Sequence, residues 1–409
     1  MIPIPLPSLK EILDYIRNIL DLIKSRRDKK IEQLQFEARN DPNLYKYLAW
    51  LYGEEIILRY NNLIFPVALF PAPKEQRYEL ESTLGELDTK TNDEIDNELD
   101  RKGQSYLKKL RKAEEKLWDD LTFKMVKLDS TDKLKLSCAL GRYYNALKSC
   151  DILEFELLTE FGKRKPRPED FSTFTDKLVL RKYLHGKGNP IKESLGRSPA
   201  VSISTIVIFR ENDKFKALVR ERSSKVAVYK HLLHVIPSFI FQPIVQHYDK
   251  EYSVRHNIYR EYLEEVIGRR DLERHAGEYG YDYFYEDPNL KYLLDLESVG
   301  KAKFYFTGIA LDLLNLRPEI CTLLLITDPE WIINQRRGRK FKHYQLDILK
   351  INWEFKQGYE LSNARFKGIA SIDLMENLIM PDNLFKPENF VPPGAAALKL
   401  GIEVAREEL

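Results

Sequence analysis

The polar and apolar positions of this chain change rhythm near residue 200. Before it, the spacing is mostly helical. Ser8 and Glu11 fit a capping box, and Leu9, Ile12, Leu13, Ile16, Ile19, Leu20 and Ile23 follow as one apolar stripe. Such a stripe predicts a helix packed on its own domain or on a second subunit. The basic run from Ser25 leaves a membrane-surface helix as the alternative. Tyr45 to Tyr60 reads as helix, Asn61-Asn62 as a turn, and Leu63 to Phe70 as a short strand or buried connector ended by Pro71. Asp100 to Thr122 alternates acids and bases around Leu107, Leu110, Leu117 and Leu121, which predicts a long solvated helix. Leu134 to Phe161 reads as the clearest helix, with Leu136, Ala139, Leu140, Tyr143, Leu147, Leu153 and Leu157 on its inner face. Gly162 and the basic, Pro-containing residues after it then stop the pattern.

After residue 200 the period becomes two. Val201 to Phe209 alternates and is β-branched, and Phe215 to Arg222 returns as the second strand of a hairpin. Leu232 to Pro243 is extended and apolar. Val254 to Gly268 predicts an acidic helix. Lys303 to Thr307 reads as a strand, Ile309 to Leu314 as a short helix or turn, and Ile320 to Ile326 as a buried strand. Val391 onward reads as a loop and a closing helix. The expected class is α/β, with a helical N-terminal region at 1–165, a linker at 166–195 and an α/β domain at 196–409.

Composition narrows this. The chain has 409 residues, of which 43% are hydrophobic and 31% charged, so a packed core is affordable and global disorder is not expected. A net charge of +2 gives no general pull toward nucleic acid or membrane. Cys138, Cys150 and Cys321 are widely spaced with no Cys-x-x-Cys pair, which argues against a zinc ribbon or disulfide framework and for a reducing, cytoplasmic setting. No apolar run reaches the roughly eighteen residues of a spanning helix, and the first residues lack a signal-peptide pattern.

The candidate chemistry lies in Arg260-Glu261-Tyr262-Leu263-Glu264-Glu265. On an α-helix, carboxylates at i, i+3 and i+4 share a face and repel unless a cation or arginine sits among them. Mg²⁺ accepts a few carboxylate oxygens together with waters and phosphates. The plainer reading is a solvated helix face. His231 and His234 are three apart in an extended segment and so point to opposite faces, which separates them. His234 reads as a hydrogen-bonded core or loop residue, and His256 as a residue of the acidic helix facing away from Glu264.

These residues resemble the helical half of the Nudix box: Gly, five residues, Glu, seven residues, then Arg-Glu-U-x-Glu-Glu-x-Gly-U, with U a bulky aliphatic. Arg260, Glu261, Glu264 and Glu265 fall on its Arg, Glu, Glu and Glu. The basic stretch from Arg220 resembles the LxxRS strand of that family. The likeness spans about residues 195 to 402. It includes phrases expected in long bacterial proteins with a Nudix-like C-terminal half: His234-Val-Ile-Pro-Ser, Phe241-Gln-Pro, Arg317-Pro-Glu and Pro392-Pro-Gly-Ala-Ala. The pattern departs at three places. Its first Gly falls on Gln246, its isolated Glu on Tyr252 beside Glu251, and its last Gly on Ile267 beside Gly268.

The resemblance implies a mixed sheet between helices and Mg²⁺- or Mn²⁺-dependent hydrolysis of a nucleoside diphosphate derivative. Glu264 and Glu265 would be the main metal ligands, Glu261 a further ligand or the base, and Arg260 the group orienting them. Glu319 would be a fourth carboxylate from a distant segment. Arg220, Arg222 and Lys225 would meet phosphates. The alternatives are a nucleotide sensor that signals through the helical half, with a homodimer formed through the N-terminal helices, and a plain interaction module.

Overall fold

A computed structural model describes residues 28–409 apart from 91–92, 114–116, 118, 223–231, 245–246, 270–280, 338–339, 342–343, 346–359, 362–363, 366–369 and 375–377. The stripe at Leu9–Ile23, residue Lys225 and His231 therefore lie outside the described residues.

The chain is mixed α/β. Its organising layer is a nine-stranded sheet built from both halves of the sequence. β1 (Ile57–Tyr60) and β2 (Leu63–Pro71) form one end. Next come β10 (Ala302–Asp312), β11 (Arg317–Ile326), β6 (Ser202–Glu211) and β7 (Lys214–Glu221), and finally Ala370–Asp373. β11 and β6 run parallel, with Glu319 opposite Ser202. β10 pairs antiparallel with both β11 and β2.

The region expected as helical at 1–165 also supplies strands. β1 and β2 belong to the same sheet as β10, so the sheet crosses the boundary expected at 166–195. Three more strands form a second sheet in the order β3 (Leu84–Asp88), β5 (Lys135–Arg142), β4 (Leu121–Asp129). Leu134 to Phe161 is therefore not one helix. Leu134, Leu136 and Cys138 are buried while Lys135 is exposed, a period-two pattern that β5 satisfies. Helix begins at Tyr143, passes through a π-helical stretch at Leu147–Asp151 and ends in Ile152–Arg164. The charged helix stops at Ala113, before β4. Tyr45 to Tyr60 divides into the helix Pro42–Tyr52 and β1 at Gly53, whose φ of +104° suits glycine. Within 166–195 the chain folds into the helices Phe171–Thr175 and Val179–Lys187. Ile309 to Asp312, expected as helix or turn, continues β10 past a bulge at Gly308.

Each face of the large sheet buries its own core. On one, Val201, Ile203, Ile320 and Leu324 pack with Val254, Ile258, Tyr262 and Leu263 of the acidic helix. On the other, Ile206, Val219, Val235 and Leu323 pack under the closing helix Pro392–Glu408. A Cβ on Gly401 would stand 2.2 Å from Ile206 Cγ2, so only glycine allows this close approach.

The feature that places the site is a split in the sheet. β6 and β7 pair only through Ile208–Glu211 and Lys214–Ala217. Beyond that they diverge. β9 (Ser238–Ile240) then pairs with β6, Ser204 opposite Ser238, and β8 (Leu233–Val235) with β7, Arg220 opposite His234. Polar side chains on these four strands consequently converge in the gap.

Candidate functional site

The acidic helix starts at Ser253, whose hydroxyl accepts the His256 N–H at 3.2 Å as an N-cap. It is α-helical over Val254–Glu261 and π-helical over Tyr262–Val266. The carboxylate spacing argument assumed a continuous α-helix. The π turn, with Ile267 N–H donating to Tyr262 O, spreads the three glutamates differently. Glu261 and Glu265 are buried, at 5% and 2% exposure, while Glu264 is half-buried.

Arg260 is buried beside the first of them. Its Nη1 donates to Glu251 Oε2 at 3.3 Å, and its Nη2 to Asn257 Oδ1 at 2.8 Å and Glu261 Oε1 at 3.3 Å. One guanidinium thus joins two buried carboxylates, which balances charge that burial would otherwise penalise. Glu251, one place from the expected position, closes a short turn at Tyr248–Glu251. His256 lies beside this group, with Nε2 4.0 Å from Glu251 Oε2 and its ring stacked on Tyr281 at 3.9 Å. Burial and then the nearby Arg260 charge push its pKa down to about 3, so the ring is neutral at pH 7.

Glu265 takes a different direction. Its Oε2 accepts the Ser238 backbone N–H at 2.7 Å. Ser238 Oγ stands 3.1 Å from Ser204 Oγ and 3.2 Å from His234 Nε2. Ser204 Oγ donates to Glu319. Glu319 is buried, and burial holds its pKa up to about 7 against the Ser204 hydrogen bond and the charges of Arg317 and Arg222. Arg220 is buried too. Burial lowers its pKa, and the Glu265 charge opposes that shift.

The fold therefore brings Glu265, Glu319, Arg220 and Arg222 toward the split in the sheet. Glu261 and Arg260 form a second group with Glu251. Among the described residues, no three His, Cys, Asp or Glu side chains stand together at metal-ligating separation. The groups near the split are carboxylates and serine hydroxyls, all oxygen, the donor type a hard cation takes. A cation there would keep waters and take ligand oxygens as well.

Spacing pointed to Glu261, Glu264 and Glu265, and Glu319 was singled out at the start of a strand. Ser204, Ser238 and Glu251 were not expected as site residues. The His-Val-Ile-Pro-Ser phrase held His234 and Ser238, but the strand pairing is what reveals that Ser238 faces Ser204. The chain matches no family model and no curated protein.

Proposed function

We propose that this chain binds a nucleoside diphosphate derivative with Mg²⁺ or Mn²⁺ and hydrolyses its diphosphate, as a Nudix-like domain. The observation that carries this reading is the link between a helix carboxylate and a sheet carboxylate. Glu265 and Glu319 come from opposite faces of the sheet and are joined through Ser238 and Ser204.

Glu264, Glu265 and Glu319 would hold the cation. When bound, it would polarise a phosphoryl oxygen and lower the pKa of a bound water. Arg222, half-buried just after β7, would meet a phosphate. Arg220, deeper, supports the charge on Glu265. Arg260 would orient Glu261, which would accept the proton of the attacking water.

A second reading, a nucleotide sensor, is favoured by one contact. Arg317, two residues before Glu319, lies 3.7 Å from the buried Asp151 on the helix of the N-terminal half. Occupancy at Glu319 could reach that half through this pair.

The deciding experiment incubates the protein with nucleoside diphosphate sugars, dinucleotides and nucleoside triphosphates, with Mg²⁺ or Mn²⁺, beside Glu264→Gln and Glu265→Gln. Cleavage lost in both variants supports hydrolysis. Metal-dependent nucleotide binding without cleavage selects the sensor. Absence of both binding and cleavage defeats both readings.

A further inference from the structure

The turn between β10 and β11 is buried, although hairpin tips ordinarily lie at the surface. Leu313, Leu314, Asn315 and Leu316 are between 0% and 5% exposed. Each residue from Leu313 to Arg317 is held by a different segment earlier in the chain. Leu313 N–H donates to Pro66 O on β2 at 3.0 Å. Leu314 O accepts from Arg181 of the helix Val179–Lys187. Asn315 Nδ2 donates at 3.1 Å to Glu154 Oε2, on the helix Ile152–Arg164. Leu316 O accepts at 2.9 Å from Arg197, which precedes β6. Arg317 Nη1 lies 3.7 Å from Asp151 Oδ1, at the end of the π-helical stretch. The turn is thus a plug, and the residues before β6 are its socket.

The last of these contacts differs from the rest. Asp151 is 3% exposed, and neither of its oxygens has a hydrogen bond among the described residues. The neighbouring carboxyls do have donors. Glu154 accepts from Arg39 and Asn315, and Asp312 accepts from Leu314 N–H and Asn315 Nδ2. Arg317, Glu154, Arg39, Tyr106 and Cys150 face Asp151, while Tyr143, Cys150 and Glu319 face Arg317. A carboxylate stripped of water and given no hydrogen bond is disfavoured against its neutral acid. Burial accordingly lifts the Asp151 pKa to about 7, with Arg317 opposing, Glu154 adding to the rise and Arg39 opposing. With the turn withdrawn, Asp151 would meet water and return toward the ordinary value of about 3.9.

We propose that the turn Leu313–Arg317 is a pH-responsive latch between the two halves of the chain, held shut by a proton on Asp151 and loosened when that proton leaves. The closed latch binds the proton more tightly than the open one, so rising pH favours opening. Opening frees the start of β11, where Glu319 follows Arg317 by two residues. No ligand takes part, so the latch stands whatever binds at Glu319.

Amide hydrogen exchange of the full chain tests this between pH 5 and pH 8, with rates corrected for the intrinsic effect of pH. The reporters are the Leu313, Leu316 and Arg317 N–H groups, all hydrogen-bonded in the closed turn. Their protection should fall by up to about tenfold per pH unit from pH 5 to 7 and level off above, as the release of one proton requires. They should also exchange at least about tenfold faster than the Leu400 and Ile402 N–H groups of the closing helix, because a latch opens while the rest of the fold stays intact. In Asp151→Asn, which keeps the shape and removes the titration, turn protection should no longer vary with pH. Wild-type turn protection that is independent of pH overturns the latch, and this arm needs no variant to fold. Turn amides exchanging only as slowly as the closing helix overturn it as well, and so does an unchanged pH slope in a folded Asp151→Asn chain.

Discussion

Asp151 sits at the junction of the two halves with Arg317 at 3.7 Å and Arg39 acting against its charge, and neither carboxylate oxygen has a hydrogen bond among the described residues. Burial drives its pKa up to about 7, against the pull of Arg317, and Glu154 adds to the rise. A folded-state pKa above the unfolded value near 3.9 means that the native state holds more protons between those limits. The Asp151 contribution to stability is therefore full below about pH 4 and is lost as pH rises through 7. Asp151→Asn should flatten this part of the dependence, so that urea midpoints at pH 5 and pH 7.5 differ less than in the wild-type chain. At the same scale, Arg260→Lys should unsettle Glu251 and Glu261 together, because an ammonium cannot reproduce the forked contacts to both. If hydrolysis is established, this variant should lose at least about tenfold in kcat, judged against the cost of removing a supporting partner.

At the scale of elements, the closing helix depends on a residue with no side chain. Gly401→Ala would drive a methyl into Ile206 and should cost about 1–3 kcal/mol, seen as a lowered denaturation midpoint. Ile206→Ala in the same chain should recover part of the loss, since it removes the atoms that clash. How far such elements could be read from sequence depended on whether their signal was local. β6 and β7 announced themselves by alternation and the Glu261–Glu265 turn by its charges. β5 did not, because Leu136, Ala139 and Leu140 fit a helical period, and its pairings with β3 and β4 decide. The π turn left no trace in spacing, since insertion into the i→i−4 ladder is set by tertiary packing. The link from Ser238 through Ser204 to Glu319 was illegible for another reason. Ser204, Ser238 and Glu319 lie more than thirty positions apart at each step and meet only through strand register.

For the whole molecule, the sheet ignores the division suggested by sequence texture. β2 lends Val67–Pro71 to Gly308–Asp312 of β10, and no cut near residue 196 respects that seam. A chain shortened to residues 196–409 would bare the β10 edge and the apolar surface that Phe65 and Val67 cover. It should elute as aggregate or associate through that edge in size-exclusion chromatography, whereas the full chain should not. The no-span expectation holds in a limited sense: among the described residues, no helix is long and apolar enough to cross a membrane.

The closing helix also has a consequence in time. A ribosome makes every strand it covers before it makes Pro392–Glu408. During that interval one face of the sheet, with Ile206, Val219, Val235 and Leu323, stays uncovered, and the His234 ring lacks the backbone that will seat it. A nascent chain in this condition presents the kind of apolar surface that holdase chaperones bind. A chain truncated before residue 392 should be retained by such factors.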